Sequence, residues 1–262
     1  MDWSLVSAVN DDAILRGTLM RSPELAAAPK SVILQRGYSS AALAYNDALE
    51  KATSSIVVLA HQDVYFPNGW LSRVQQTVAR IEETDPHWGV LGVWGVTKTG
   101  NHAGHVYCGG LQRELGCIFD GAIPVRTLDE VVLIVRQSSG LRFDPGLTGY
   151  HLYGTDLCLS AAASGFGCYA ISAYCVHNTN GYKFLPVQFW RDCLYLRAKW
   201  QSELPVLTPC ITITAGGWPM IEWNLRRFAG WTLGRVHAGR RVKDPTSLGP
   251  DRSTSPVTVV SN

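Results

Sequence analysis

The run SIVVLA at residues 55–60 is apolar at every position after its serine and leads straight into His61, Gln62 and Asp63. A strand without polar alternation has no face to offer water, so it belongs inside a sheet that is covered on both sides. That requirement points to an α/β fold. In open α/β sheets ligands gather beyond the carboxyl ends of the strands, which places the His-Gln-Asp triplet where a ligand would be met. A polar loop without function has the same composition. The next stretch, VYFPNGWL, carries an aromatic residue, a proline and Gly69-Trp70 ahead of Val74, Val78 and Ile81 at helical spacing. This pattern predicts a built turn followed by a helix.

The surrounding sequence repeats the alternation. Residues 3–9 and 31–34 read as strands, and residues 40–52 place Ala41, Tyr45, Ala48 and Ala52 three or four apart behind a capping Ser39 or Ser40. Strand, helix and strand in this order predict a mixed, mainly parallel central sheet flanked by helices. Further on, a strand at 131–135 precedes three polar sites at the edges of apolar runs: Asp144, Asp156, and the pair His177-Asn178 that ends a strand-like stretch over 170–176. Three such sites suggest one shared cleft. Asp156 opens a helical segment over 155–164, where the helix dipole favours a carboxylate, and a simple capping role fits it equally well.

Composition narrows the function. With 23 Lys and Arg against 21 Asp and Glu, the net charge is +2 and no basic run offers a groove for phosphates, so nucleic acid is not expected as a partner. Unbroken apolar runs reach five residues where a membrane span needs about 20. The first 20 residues carry no secretory pattern, so the expected location is the cytoplasm. The seven cysteines form no Cys-x-x-Cys pair and are expected to be buried thiols. Residues 1–239 are expected to form one domain. Residues 240–262, with seven Ser or Thr, three Pro and no aromatic residue, are expected to form a flexible tail.

In combination these segments resemble the GT-A glycosyltransferases, and more closely the inverting glycosyltransferase family 2 and its glycosyltransferase-like branch, over roughly residues 3–200. The helix Ala44-Tyr45-Asn46 through Ala52 is similar to the family's first helix. VVLAHQDVYFPNGWL has the shape of its Asp-x-Asp segment, with Asp63 at the final aspartate and His61 at the first. GTDLCL looks like the segment that holds the catalytic base, with Asp156 as that base and Thr155 where Glu is common. FDPGL leads into it as the family's Phe-Asp-Glu does, and His177 in YCVHN matches a histidine that completes metal coordination.

The resemblance implies a GT-A fold and transfer of a sugar from a nucleoside-diphosphate donor to a hydroxyl acceptor, which could be a glycan, a lipid-linked molecule or a small molecule. It also implies a divalent cation, Mn²⁺ or Mg²⁺, held by Asp63 and His177, with His61 either binding the metal or shaping the loop. Asn10, Asp11 and Gln35 fall where the family binds the nucleotide, and Asn46 falls where it supports the donor pocket. His151, Tyr153 and Asn178 are candidate pocket-lining groups, although buried polar groups are often simply hydrogen-bonded. Residues 184–239 form an aromatic-rich helical part with five tryptophans, the pair Arg226-Arg227, and a last amphipathic helix marked by Pro219, Ile221, Leu225 and Phe228. Core packing is its expected role, and covering an acceptor or making peripheral membrane contact are the alternatives. Two other readings stay open. The imidazole of His61 in place of a carboxylate suits a sugar-nucleotide or glycan-binding module without turnover. A nucleotidyltransferase shares the layout, although VNDDAIL lacks a Gly-x-Gly phosphate loop.

Overall fold

The computed structural model describes residues 2–181, 184–235 and 239–249. The chain opens with β1 (Trp3–Val9), α1 (Asp12–Gly17), α2 (Pro23–Ala27) and β2 (Val32–Arg36). It continues through α3 (Ala41–Lys51), β3 (Ile56–Ala60), β4 (Val64–Tyr65) and α4 (Trp70–Thr84). A run of short strands follows: β5 (Trp88–Gly92), β6 (Trp94–Val96), β7 (His102–Cys108), β8 (Arg113–Gly116), β9 (Ala122–Pro124), β10 (Thr127–Leu128) and β11 (Val132–Arg136). The last part holds α5 (Tyr153–Ala163), β12 (Gly167–Ile171), β13 (Cys175–His177), α6 (Val187–Lys199), the pair β14 (Val206–Leu207) and β15 (Thr212–Ile213), and α7 (Trp218–Thr232).

The principal sheet has the order β2-β1-β3-β11-β5-β12-β9. β1 runs parallel to β2 and β3, and β12 parallel to β5; β11 and the edge strand β9 run against them. This is the mixed, mainly parallel sheet that the sequence predicts. β3 lies in its interior, paired through Val6↔Leu59 on one side and Leu133↔Leu59 on the other. Its side chains divide between two cores. Val57 and Leu59 pack on the face covered by α3 and α5, whereas Ile56, Val58 and Ala60 pack on the face covered by α4. Each large aliphatic side chain buried this way contributes about 1.5–3 kcal/mol, which is why the strand tolerates no polar position.

Local signals set the flanking helices. The Ser40 hydroxyl accepts the Leu43 N–H at 3.3 Å and starts α3, and Gly69 at φ 81 makes the left-handed turn into α4. The stretch over 170–176 is not one strand. Residues 172–174 separate β12, in the principal sheet, from β13, which joins a second sheet of order β10-β6-β7-β13-β4. That break matters for the site, because β4 follows directly on His61-Gln62-Asp63 and pairs antiparallel with β13 through His177↔Val64.

Two further expectations are corrected. Residues 239–249 are not loosely attached. The Asn178 side chain exchanges hydrogen bonds with the Val242 backbone at 2.7 and 3.0 Å, Asp244 pairs with Arg21 at 2.8 Å, and the Tyr174 hydroxyl donates to the Leu248 carbonyl. The remainder of the expected tail, 250–262, lies outside the described residues. Among the cysteines, 158, 168, 175 and 193 are buried, Cys108 is partly buried, and Cys117 and Cys210 are exposed because they sit in loops. Among the described residues no helix is long and apolar enough to cross a membrane.

Candidate active site

His61, Asp63 and His177 converge: each offers one ligand atom, and these atoms lie within 4.8 Å of one another. The end of β3 delivers the first two and the end of β13 delivers the third. The β4–β13 pairing, extended by the Asn178 N–H donating to the Asp63 carbonyl at 2.8 Å, holds the two segments in register. His177 Nε2 stands 3.4 Å from Asp63 Oδ1, and the Arg241 guanidinium stands 3.6 Å from Oδ2. Both contacts are longer than the 2.7–2.9 Å usual for a charge-assisted hydrogen bond. The carboxylate thus faces an imidazole and a guanidinium without being tightly bonded to either.

Electrostatics follow from the packing. Burial works to raise the Asp63 pKa, but the charge and hydrogen bond of His177 outweigh it and hold the carboxyl well below its usual range. Burial likewise works to lower His177, and the Asp63 charge reverses this to leave the imidazole raised. His61 is pushed down to about 4 by burial and by the nearby His177, so it is neutral at pH 7. The two rings meet edge to face at 5.4 Å. The Tyr153 hydroxyl lies 3.0 Å from His61 Nε2 and donates to the Glu130 carbonyl at 3.3 Å. With its proton on that carbonyl, the hydroxyl is free to accept from Nε2–H, the tautomer that would leave Nδ1 of His61 with its lone pair.

Asp156 sits one turn beyond Tyr153 on α5, and residues three apart share a helix face. Its carboxylate does not join the cluster. It is fully buried and accepts Trp200 Nε1–H at 2.7 Å and Lys199 Nζ at 2.8 Å, because the end of α6 closes over it. Lys199 also reaches Asp144 at 2.6 Å, so the two acidic sites of this stretch share one cation. A cleft of about 420 Å³ borders Cys158, Phe166 and Trp200 and contains none of the three cluster residues.

The expected donor-binding residues divide into two groups. The Asn10 and Asp11 backbone N–H groups both donate to Gln62 Oε1, at 3.0 and 3.1 Å, which ties the end of β1 to the loop that carries the cluster. The Asp11 side chain is spent on capping α1 through Ala13 and Ile14. Gln35 donates to the Ala44 carbonyl and to Asp47, and Asn46 makes a reciprocal pair with the Phe143 backbone at 2.8 Å. These amides hold α3 in place. His151 packs edge to face on Phe189, and Asn178 clasps Val242. Sequence reasoning did not single out Gln62 as a link, Arg241, or the pair Asp129-Glu130 ahead of β11. Burial pushes Glu130 up to about 8, with the charge of Asp129 adding to the effect. The acidic pair directly before an apolar strand was the available signal for the last two. Arg241 gave none.

No known protein-family model matches the chain. It is similar to a protein of Fuscovulum blasticum named ATP synthase subunits region ORF 6, with 27% identity over 189 residues that cover 66% of this chain and 72% of that protein. In overall layout it is similar to S. aureus TarS 1–349, at 14% identity and a TM-score of 0.47, covering 76% of this chain and 65% of that one. It is also similar to the mannosyltransferase PcManGT from Pyrobaculum calidifontis in complex with GDP-Man and Mn²⁺, at 13% identity and a TM-score of 0.48, covering 89% of this chain and 70% of that one. The likeness is one of layout, and the chemistry rests on the residues of the site itself.

Proposed function

We propose that the chain is a metal-dependent inverting glycosyltransferase that moves a sugar from a nucleoside-diphosphate donor to a hydroxyl of a glycan, a lipid-linked molecule or a small molecule, and that it works in the cytoplasm. The observation that carries this reading is the meeting of His61, Asp63 and His177 at the ends of β3 and β13. One ionised carboxylate and a neutral imidazole with a lone pair fit a divalent cation. The nitrogen content of the set favours Mn²⁺ over Mg²⁺, which prefers oxygen ligands. When bound, such a cation supplies charge neutralisation for a departing diphosphate.

The chain's own groups do the rest. Asp63 holds its negative charge at the mouth of β3, and Tyr153 fixes the orientation of the His61 ring. Asn10 and Asp11, tied to this loop through Gln62, are the proposed contacts to the donor's nucleotide, with Gln35 and Asn46 holding α3 and His151 and Asn178 as proposed lining groups. Asp156 is the general base. Lys199 and Trp200 hold its two oxygens, and it takes the acceptor proton once the hydroxyl replaces one of them at an oxygen. In that step the acceptor oxygen bonds to the anomeric carbon as the bond to the diphosphate breaks on the opposite face, and the configuration inverts.

The closed state of Asp156 also supports a second reading, a module that binds the donor without turnover. A thermal-shift screen of UDP, GDP, dTDP and CMP sugars, each with and without Mn²⁺, tests the shared part of both readings. A donor at 100 times its Kd adds about 2.7 kcal/mol, and the expected result is a stabilisation that requires nucleotide and metal together. Sugar release in the presence of acceptor mixtures then separates transfer from binding. A donor shift with no turnover selects the binding module, and no shift with any pair removes both.

A further inference from the structure

Helix α7 was expected to pack into the core, yet none of its 15 residues is buried. Trp218, Ile221, Leu225 and Phe228 recur at intervals of three and four, which aligns them on one helical stripe, and they are 61, 52, 59 and 54% exposed. The opposite side faces the protein: Met220 packs on the core and Trp223 meets Trp190 edge to face at 5.5 Å. The helix is therefore docked through one side and presents a continuous apolar side to the outside. Beside it runs an open groove of about 530 Å³ lined by Phe184, Trp190 and Phe228 among others. Apolar side chains grouped in this way mark a binding surface.

Charge indicates what the surface meets. Over residues 218–235 three arginines, 226, 227 and 235, stand against one acid, Glu222. Glu222 pairs with Arg226 at 2.6 Å, and the Arg227 guanidinium lies over the Trp223 ring at 5.6 Å. The helix thus combines a tryptophan-containing apolar stripe with a net charge of +2 over residues 218–235, three arginines less one glutamate. Its length, about 22 Å at 1.5 Å per residue, is too short to span a bilayer. This combination describes a helix that lies in the plane of an anionic membrane surface, its apolar stripe in the acyl boundary and its arginines at the headgroups.

We infer that α7 is an interfacial membrane anchor that docks the protein on bilayers containing anionic lipid. The inference does not depend on the transferase reading, because no residue of α7 belongs to the His61–Asp63–His177 cluster. The experiment is flotation of the full chain with phosphatidylcholine vesicles, with and without phosphatidylglycerol, together with sedimentation velocity of the free protein. The wild type is expected to float with the anionic vesicles and to lose this as salt rises. The double variant Ile221→Asp/Leu225→Asp is expected to stop floating, with partitioning reduced roughly tenfold or more per residue, while its melting temperature is unchanged. Arg226→Glu/Arg227→Glu keeps the apolar stripe and is expected to lose the preference for anionic vesicles. Absence of flotation in the wild type overturns the inference. So does concentration-dependent self-association that the Ile221→Asp/Leu225→Asp variant abolishes in the absence of vesicle binding, since it makes a second copy of the chain the occupant.

Discussion

Asp63, in the loop after β3, and Asp156, in the first turn of α5, each have basic side chains nearby and are in opposite states. Asp156 has its hydrogen-bonding capacity met at 2.7–2.8 Å by Trp200 and Lys199, with 2% of its side chain exposed. Asp63 is 12% exposed and faces His177 and Arg241 across 3.4 and 3.6 Å. Carboxylate bonds to cationic donors that are optimised for stability settle near 2.7–2.9 Å. The first carboxylate is therefore finished and the second is not. A carboxylate held only by long contacts keeps lone pairs for a compact divalent ion, whereas one already saturated can change partner only by exchange. The difference is what the proposed roles rest on, ion binding at Asp63 and a base at Asp156 that exchanges one of its partners for the acceptor.

The largest expected effect comes from removing the unfinished carboxylate. Asp63→Ala should abolish the Mn²⁺-dependent thermal shift and weaken Mn²⁺ binding by roughly 100-fold or more, since loss of supporting ligands alone costs 10–100-fold. Titration calorimetry with Mn²⁺ alone checks this, and an unchanged Kd would falsify the metal assignment. The finished carboxylate should respond differently. Asp156→Asn is expected to keep donor and metal binding while transfer falls by about 10²–10⁴, the usual contribution of a positioned base. It should also cost about 1–3 kcal/mol of stability through the lost charge-assisted bonds. If the variant loses stability but transfers sugar at the normal rate, Asp156 is a structural residue and the comparison reduces to Asp63 alone.

How much of this could be read from the chain depends on the range of the interaction. β3, α3 and α4 were legible because their burial is written in local periodicity and in Ser40 and Gly69 at their starts. The strands between residues 88 and 128 were not, since they are short, carry Gly89, Gly92, Gly95 and Gly104, and exist through pairing with distant partners. The split between β12 and β13 was hidden because residues 170–176 are apolar enough to read as one strand. His177 was nonetheless expected to act with Asp63, and the β4–β13 ladder is what brings the two side by side. Periodicity marked α7 as amphipathic but could not say what its apolar face would meet.

A smaller effect separates the two histidines of the cluster. His61, lowered to about 4, binds protons more readily when unfolded, so it makes the metal-free protein less stable as pH falls from about 6.5 toward 4. The slope can reach ~1.4 kcal/mol per pH unit for one group. His177, whose pKa is raised, acts the other way: it adds stability below about 6.5 that disappears as pH rises through its folded value. Glu130, raised to about 8, also adds stability at low pH that is lost as pH rises through that value. The contrast of wild type with His61→Gln isolates the first group. Urea denaturation across this window should show the variant losing less stability on acidification, and parallel curves would remove His61 from the buried, neutral role.

The smallest expected effect tests whether Asp63 is kept unfinished by Arg241. The 239–249 segment is clasped by Asn178 and Asn180 and lays the guanidinium beside the carboxylate, so an incoming divalent cation meets a positive charge already in place. Arg241 is 35% exposed, and a partly solvated charge at this range contributes on the order of 1 kcal/mol. Arg241→Ala should therefore tighten Mn²⁺ binding in the absence of nucleotide by about fivefold, and the same substitution should weaken binding of a diphosphate, whose charge the guanidinium would offset. Arg241→Lys, which keeps the charge without the planar fork, should fall between wild type and Ala for the ion and close to Ala for the diphosphate. Opposite signs for ion and anion are the expected signature. A variant that moves both in the same direction would show that Arg241 acts by holding the loop, and the openness of Asp63 would then belong to the β4–β13 geometry alone.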